Sequence, residues 1–344
     1  MSNNELLTSS YDFTLPENLI AKHPASPRDS AKLLVYHRAT NTITHTRFSE
    51  FQNFIPKDAA LVFNDTKVIK ARLYGTKESG GKIELLINRP LNATDIHVYI
   101  RGRVKTKMKL CFDNTLEAVV KELKNDGSRV VSFYQPNSTT AMRFEELLRV
   151  IENIGHIPLP PYLQREDNKE DEQEYQSVFA NNEGAVAAPT ASLHFTPQQH
   201  QEICKNFHHA FITLHVGSGT FKPVEAEIIT QHPMHSEYYS ITKEAKKLLD
   251  SDTPLLAVGT TSTRTIEYYA RHKEKTTAEA NLFLHPNNKP IRVNHLLTNF
   301  HLPKSTLLML VASFVGLEKT LELYKEAIEK EYRFYSYGDA MLIL

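Results

Sequence analysis

The sequence predicts a layered α/β protein interrupted by a small antiparallel β domain. Three observations carry this. After residue 184, buried-strand patterns such as "FITLHVG" and "LLAVG" alternate with amphipathic helix patterns, the signature of an α/β layer architecture. Between about residues 58 and 135 the pattern changes to short alternating segments separated by turn signals. The chain of 344 residues is also longer than one small core requires.

The elements follow in chain order. "PENLIAK" predicts a short helix, then a Pro-rich loop, and "AKLLVYHR" and "TITHTRF" predict two strands around the "ATNT" turn. "ALVFND", "KVIKARLYG", "KIELLIN", "DIHVYIRG", "KMKLCF", "LEAVVKEL" and "RVVSFYQ" read as strands of a small antiparallel barrel or sandwich. "FEELLRVIENIG" is an amphipathic helix ending at Gly155. "LPPY" is a rigid corner, and the charged run "QREDNKEDEQEYQ" a solvated loop or helix start. "ITKEAKKLLD", "TRTIEYYARHKE" and "LEKTLELYKEAIEKEY" complete the helices. The predicted domains are therefore 1–57 with 156–344, and an insertion over 58–155.

Composition narrows the function classes. Lys+Arg and Asp+Glu each total 40, so RNA contact has to come from local patches and not from bulk charge. Cys111 and Cys204 are in no metal spacing and read as reduced structural thiols. "HPMH" lacks the H-E-x-x-H pattern and Pro233 bars a regular helix, so no metal is expected. "MSNNELLTSSYDF" has no basic or apolar leader region, and the longest apolar run, "LLMLVASFVGL", is too short to span a bilayer. The expectation is a soluble cytoplasmic monomer.

Five stretches hold more functional groups than ordinary loops: "AAPTASLHFT", "TLHVGSGTFKPV", "HPMHSEYYSI", "LLAVGTTSTRTIE" and "TNFHLPKSTLLML". In the second, a strand carrying His215 runs into Gly217 and Gly219, where a ligand can approach the backbone. It is neither a dinucleotide fingerprint nor a nucleophile elbow, so neither a Rossmann cofactor nor a Ser218-based hydrolase is supported. In the fourth, a strand, Gly259 and four hydroxyls precede a helix whose N–H groups would favour an anion or polar edge. The hydroxyls alternatively just cap that helix. In the fifth, Ser305 is a predicted N-cap and the apolar helix behind it a buried support for Asn299 and His301.

These stretches, with "YDFTLPENLIAKHPASPRDSAKLLV", "LVFNDTKVIKARLYGTKESGGKIELLI", "GHIPLPPY" and "YRFYSYGDAMLI", resemble the S-adenosylmethionine:tRNA ribosyltransferase-isomerase family of queuosine biosynthesis over nearly the whole chain. The resemblance implies an α/β domain carrying an inserted small β-barrel. It implies S-adenosylmethionine as co-substrate and ribosyl donor. The implied acceptor is the aminomethyl group of a 7-deazaguanine at the wobble position of certain tRNAs. The implied products are epoxyqueuosine in tRNA, adenine and methionine.

Ser192 stands where the family has glycine, and Arg101-Gly102-Arg103 where it has an Arg-Pro pair. Ala280, Asn287 and Asn294 replace Thr, Gly and Asp. These changes keep open a non-catalytic paralogue that only binds S-adenosylmethionine or modified RNA.

Such a reaction needs a base of moderate pKa, and histidine suits it. The matched motifs supply His215, His301 and His194, with the first two preferred. Glu237 and Asp339 would oppose the sulfonium charge or hold ribose hydroxyls, and Arg264 would clamp the methionine carboxylate. Gly217, Gly219, Thr220, Thr260, Thr261 and Asn299 would surround adenine and ribose. Asn64, Asp65 and Arg72, at the entry to the insertion, would position the acceptor base or RNA backbone. Arg101, Arg103, Lys105, Lys107 and Lys109 alternate on a strand-like segment, which is either a phosphate-tracking face or a solubilising edge.

Overall fold

A computed structural model describes residues 3–217 and 224–344. The strands are β1 (Lys32–His37), β2 (Thr42–Arg47), β3 (Ala60–Asn64), β4 (Thr66–Val68), β5 (Arg72–Lys77), β6 (Lys82–Pro90), β7 (Asp95–Arg101), β8 (Lys109–Phe112) and β9 (Leu116–Leu123). They continue with β10 (Arg129–Tyr134), β11 (Asn182–Ala185), β12 (His209–Leu214), β13 (Glu237–Ile241), β14 (Leu255–Val258), β15 (Thr277–Ala280), β16 (Val293–Asn299) and β17 (Ala340–Ile343). The helices are α1 (Phe144–Ile154), α2 (Asp171–Glu174), α3 (Pro197–Asn206), α4 (Lys243–Leu249), α5 (Thr260–Arg271), α6 (Thr306–Val315) and α7 (Leu317–Glu329).

The chain divides into two compact units: Met1–Thr66 with Ser177–Asn182 and Ala188–Leu344, and Lys67–Gln176 with Glu183–Ala187. The first holds a nine-stranded sheet in the order β15-β13-β12-β3-β14-β16-β17-β1-β2. β12, β3, β14 and β16 are mutually parallel, so their carboxyl ends share one edge. Alternation sends neighbouring residues to opposite faces. Leu34, Tyr36, Leu296, Met341 and Ile343 join α6 and α7 in one core. Leu33, Val35, Leu61, Phe63, Val258, Leu297 and Leu342 join an aromatic cluster around Phe48, Phe51 and Phe195 in the other.

The second unit is a closed barrel, β10-β7-β6-β5-β8-β9, all pairings antiparallel. Inward Leu73, Leu85, Val98, Leu110, Ala118 and Val131 fill it, and Leu147 and Ile151 of α1 pack on the same core.

Four expectations change. Residues 58–66 are not barrel: β3 is buried at every position because it is a central strand with both faces covered, and such a strand loses its alternation. The second unit also runs past 155, because the segment after α1 returns to β5 through the Arg72–His156 bridge. "PENLIAK" forms only a single 3-10 turn, Glu17–Leu19. The positive segment is not a strand either. β7 ends at Arg101, and Lys107 has φ +67°, so Arg103 and Lys105 lie in an exposed turn.

Candidate active site

Three parallel strands end side by side, and each hands its next residues to one place in the first unit. After β3 come Asp65 and Thr66, after β12 come His215 and Gly217, and after β14 come Gly259 and the start of α5. In open α/β sheets, ligands bind outside the carboxyl ends of the strands.

Asn64 ties this edge together. It is fully buried; its Nδ2 donates to the Leu214 carbonyl (3.0 Å) and Thr261 Oγ1 (3.3 Å). Its Oδ1 accepts from the N–H groups of Leu214 (3.0 Å) and Thr66 (3.2 Å). The carboxamide thus substitutes for ladder bonds at the end of the β3–β12 pairing.

His215 lies just past β12, not within it, and is half-buried. Its Nδ1 is 2.8 Å from Thr66 Oγ1, and that hydroxyl has a second partner in the Asn182 carbonyl at 3.5 Å. With the Thr66 hydroxyl donating to the Asn182 carbonyl, its oxygen is free to accept an N–H from Nδ1, an arrangement that fits the Nδ1–H tautomer. Nε2 then carries the lone pair, and among the described residues it has no hydrogen-bond partner. Asp65 is held by Thr213 Oγ1 (2.6 Å) and Asn182 Nδ2 (2.9 Å). Burial lowers the His215 pKa below 6.5, and the Asp65 charge opposes that shift. The imidazole is therefore neutral at pH 7 while still able to take up a proton.

The other two histidines differ. His301 and His194 are 7% and 4% exposed, and burial pushes both down to about 3. For His194, the nearby Arg333 and Arg28 charges add to the effect. His301 Nε2 lies 2.8 Å from Thr298 Oγ1; His194 Nε2 receives Asn299 Nδ2 at 3.2 Å and the ring stacks on Phe48. They are hydrogen-bonding groups of the interior. Asn299 also donates to the Tyr335 carbonyl; among the described residues its buried Oδ1 has no hydrogen-bond partner, nor has the buried Oγ of Ser192.

Glu237, at the start of β13, and Arg264, on α5, form a buried ion pair at 2.6 Å. Glu237 Oε1 also accepts the Gly217 N–H (3.1 Å). Arg264 Nη2 reaches the carbonyls of His235 (3.3 Å) and Ala280 (3.5 Å). The guanidinium expected to clamp a ligand carboxylate is thus engaged by a protein one.

Gly259 has φ +92°, a conformation favouring glycine, and serves as the N-cap of α5 without a side-chain cap. The hydroxyls after it do not cap the helix. Ser262 and Thr263 donate back to the carbonyls of Val258 and Gly259. Thr260 and Thr261 are 8% exposed at the helix start.

Asp339, expected beside the ligand, is engaged within the fold. Its oxygens accept from the N–H groups of Lys32 (2.9 Å) and Arg333 (2.7 Å) and from the Arg333 guanidinium (3.3 Å). Gly219 and Thr220, with Ser218, lie outside the described residues. Ser305 caps α6 as expected, its Oγ accepting the Leu308 N–H at 3.2 Å. Asn294 accepts the Leu255 N–H (3.0 Å), a bond that its carboxamide makes as an aspartate would. Among the described residues no three His, Cys, Asp or Glu side chains group as metal ligands, and no helix is long and apolar enough to cross a membrane. Arg72, Arg101, Arg103 and Lys105 belong to the barrel unit or its turns. Sequence reasoning missed Thr66, Thr213 and Asn182; the only signal was the polar run "NDT" directly after a buried strand.

A mixed α/β fold whose strand ends bring together a half-buried histidine and a buried carboxylate–arginine pair presents a candidate ligand site. Comparison with known proteins narrows the class. The family described as "Queuosine biosynthesis protein" matches residues 8–343. A protein of Sulfurimonas denitrificans named S-adenosylmethionine:tRNA ribosyltransferase-isomerase is 71% identical over 344 residues, covering 100% of both chains. One of the same name from Nitratiruptor sp. is 60% identical, covering 98% of this chain and 99% of its own. The crystal structure of S-adenosylmethionine tRNA ribosyltransferase from Thermotoga maritima is 33% identical, with a TM-score of 0.53, covering 97% of this chain and 100% of that one. The chain belongs to this queuosine biosynthesis family.

Proposed function

We propose that this chain transfers and isomerises the ribosyl group of S-adenosylmethionine onto the aminomethyl group of a 7-deazaguanine at the tRNA wobble position. The products are epoxyqueuosine in tRNA, adenine and methionine, and the setting is the cytoplasm. The observation that carries the reading is the 71% identity, along the whole of both chains, to a relative named for that activity.

His215 is the base. Its Nε2 lone pair takes the C5′ proton that the adjacent sulfonium acidifies, and the Nδ1–Thr66–Asn182 chain holds the ring in the tautomer that can do so. Electron flow from the new carbanion opens the ribose and expels adenine, which takes up a proton. The neutral acceptor amine then attacks the sugar, and ring rearrangement expels methionine with formation of the epoxide. Asp65 raises the basicity of His215 through its charge. His194, His301 and Asn299 supply fixed hydrogen-bonding groups, and the Gly259 turn with Thr260 and Thr261 offers a polar helix start to adenine or ribose. Glu237 and Arg264 brace Gly217, which lets the ligand approach the backbone. Arg101, Arg103 and Lys105 hold RNA phosphates.

The test is incubation with S-adenosylmethionine and tRNA bearing the aminomethyl precursor, followed by nucleoside digestion and mass spectrometry. Precursor-dependent adenine release together with an epoxide nucleoside supports the reading. Binding of both ligands without product would instead identify a non-catalytic paralogue.

A further inference from the structure

The barrel unit carries a cavity of ≈ 650 Å³, well inside the usual range for small-ligand sites of about 300–1,000 Å³. Its floor is built by strand register. On the outer face, Arg72, Leu86 and Tyr99 form one cross-strand row, and Tyr74, Glu84 and Arg101 the next. The alternate positions, Leu73 and Leu85, point into the barrel core. A one-residue slip in any of these strands would exchange the two sets.

The rim is the segment after α1. It is fastened to the floor by backbone bonds between Arg72 and His156 (3.2 and 2.9 Å) and by Arg72 Nη2 donating to the Leu159 carbonyl (3.0 Å). Pro160 and Pro161 stiffen it. The buried Asp171 carboxylate receives both Nη atoms of Arg165 (2.6 and 2.7 Å), which fixes the far side of the cavity. The "LPPY" corner and the beginning of the charged run are therefore parts of one wall.

The chemistry inside is specific. Tyr74 is 42% exposed, a large ring left open to solvent, with His156 packed edge-on against it at 5.0 Å. Glu84 is braced by Arg72 Nε (3.2 Å), while the Arg101 guanidinium is 89% exposed and 3.9 Å from the same carboxylate. Such an exposed pair contributes little, so Arg101 can turn to another anion without loss. An exposed aromatic face, a braced carboxylate acceptor and an adjacent exposed cation match the three parts of a nucleotide: base plane, amino or imino edge, and phosphate.

We propose that this barrel cavity binds one unstacked nucleotide of the substrate RNA, its base lying against Tyr74 and Tyr99. A guanine-type donor edge meets Glu84, and the neighbouring phosphate meets Arg101. The proposal rests on the reading of tRNA as substrate. It assigns the barrel a base-holding task beyond the phosphate contacts of Arg103 and Lys105.

The experiment measures binding of unmodified substrate tRNA to the full chain at several salt concentrations, alongside turnover of precursor-bearing tRNA. Tyr74→Ala is expected to weaken tRNA binding by about five- to hundred-fold, the measured range for losing one base–aromatic stack, with the salt slope unchanged. Tyr74→Phe keeps the ring and is expected to bind like the wild type. Arg101→Ala is expected to lower the salt slope by about one phosphate. The KM for S-adenosylmethionine is expected to stay constant in all three. Tyr74 is solvent-exposed and its variants leave the barrel core intact, and a Tyr99→Ala variant checks the second ring independently. If wild-type protein binds and modifies tRNA while Tyr74→Ala and Tyr99→Ala bind it unchanged, the cavity proposal is overturned and the tRNA reading stands. If the wild type neither binds nor modifies tRNA, the underlying reading fails instead.

Discussion

Replacing Glu237 by alanine leaves the Arg264 guanidinium buried without its counter-charge. The pair is 2.6 Å apart, with Glu237 4% and Arg264 6% exposed. Removing one partner of such a pair costs about 3–5 kcal/mol, because the remaining charge stays out of water. Two carbonyls still reach Arg264, at 3.3 and 3.5 Å, and such long contacts compensate only in part. The Gly217 N–H also loses its acceptor, which costs about 1 kcal/mol more. The expected loss is thus about 4 kcal/mol. It is local to the first unit, so global melting of a two-unit chain is the wrong readout. Hydrogen–deuterium exchange of peptides covering 237–241 and 260–271 reads it directly. The Glu237→Leu/Arg264→Met double variant, which removes both charges, is expected to recover most of the loss. Unchanged protection in Glu237→Ala, to within about 0.5 kcal/mol, would show that the pair is solvated and the reasoning wrong.

Three further outcomes follow from the same geometry. Asp65→Asn removes the negative charge that raises the His215 pKa, so the acid limb of the kcat/KM profile should move to lower pH; a move to higher pH would refute that electrostatic link. His194 and His301 are held neutral down to about pH 3, whereas unfolded histidine binds a proton near 6.5. Between those values the unfolded state binds more protons, so stability is complete above about pH 6.5 and declines as pH falls, by up to about 1.4 kcal/mol per pH unit for each histidine. Hydrogen–deuterium exchange protection of peptides covering 190–196 and 298–302, corrected for the intrinsic pH dependence of exchange, should fall less with decreasing pH in His194→Gln and His301→Gln than in the wild type. Gly259→Ala forces a side chain into φ +92° and should cost about 1–2 kcal/mol in protection of α5, though the nearest atoms, at 3.6 and 3.7 Å, leave room for the methyl group.

Much of this architecture was legible in the residues. Alternation located β5 to β10 because a small barrel has one wet face and one dry face. The buried runs at 209–214 and 255–258 were legible for the opposite reason, being apolar throughout. Ser305 was readable because capping is a local bond. The boundary at residue 58 was misplaced because a central strand of a covered sheet resembles any other apolar run, and only pairing with β12 and β14 distinguishes it. The alternating basic residues after Arg101 follow the strand period, yet the backbone turns at Gly102, with φ +127°.

The site was legible as a set of motifs but not as a division of labour. Three histidines look alike in sequence, and burial alone separates half-buried His215 from His194 and His301. Likewise Arg264, Asp339 and Asn64 carry ligand-binding groups, but partners from distant segments take them up. Tyr74 and Tyr99 carry no signal in the sequence because their cavity exists only once three strands are in register with a loop some 60 to 90 residues away in sequence.

The central claim is that the Nε2 of His215 is the base. The most direct measurement is single-turnover exchange of the C5′ hydrogens of S-adenosylmethionine with solvent deuterium, in the presence of precursor-bearing tRNA, comparing wild type with His215→Gln. Gln keeps a hydrogen-bonding partner for Thr66 but cannot take up a proton near neutral pH. With His215 as the base, adenine release and C5′ exchange fall together by about 100-fold or more, while the affinities for S-adenosylmethionine and tRNA remain. Wild-type rates of proton loss and adenine release in the folded variant would contradict it.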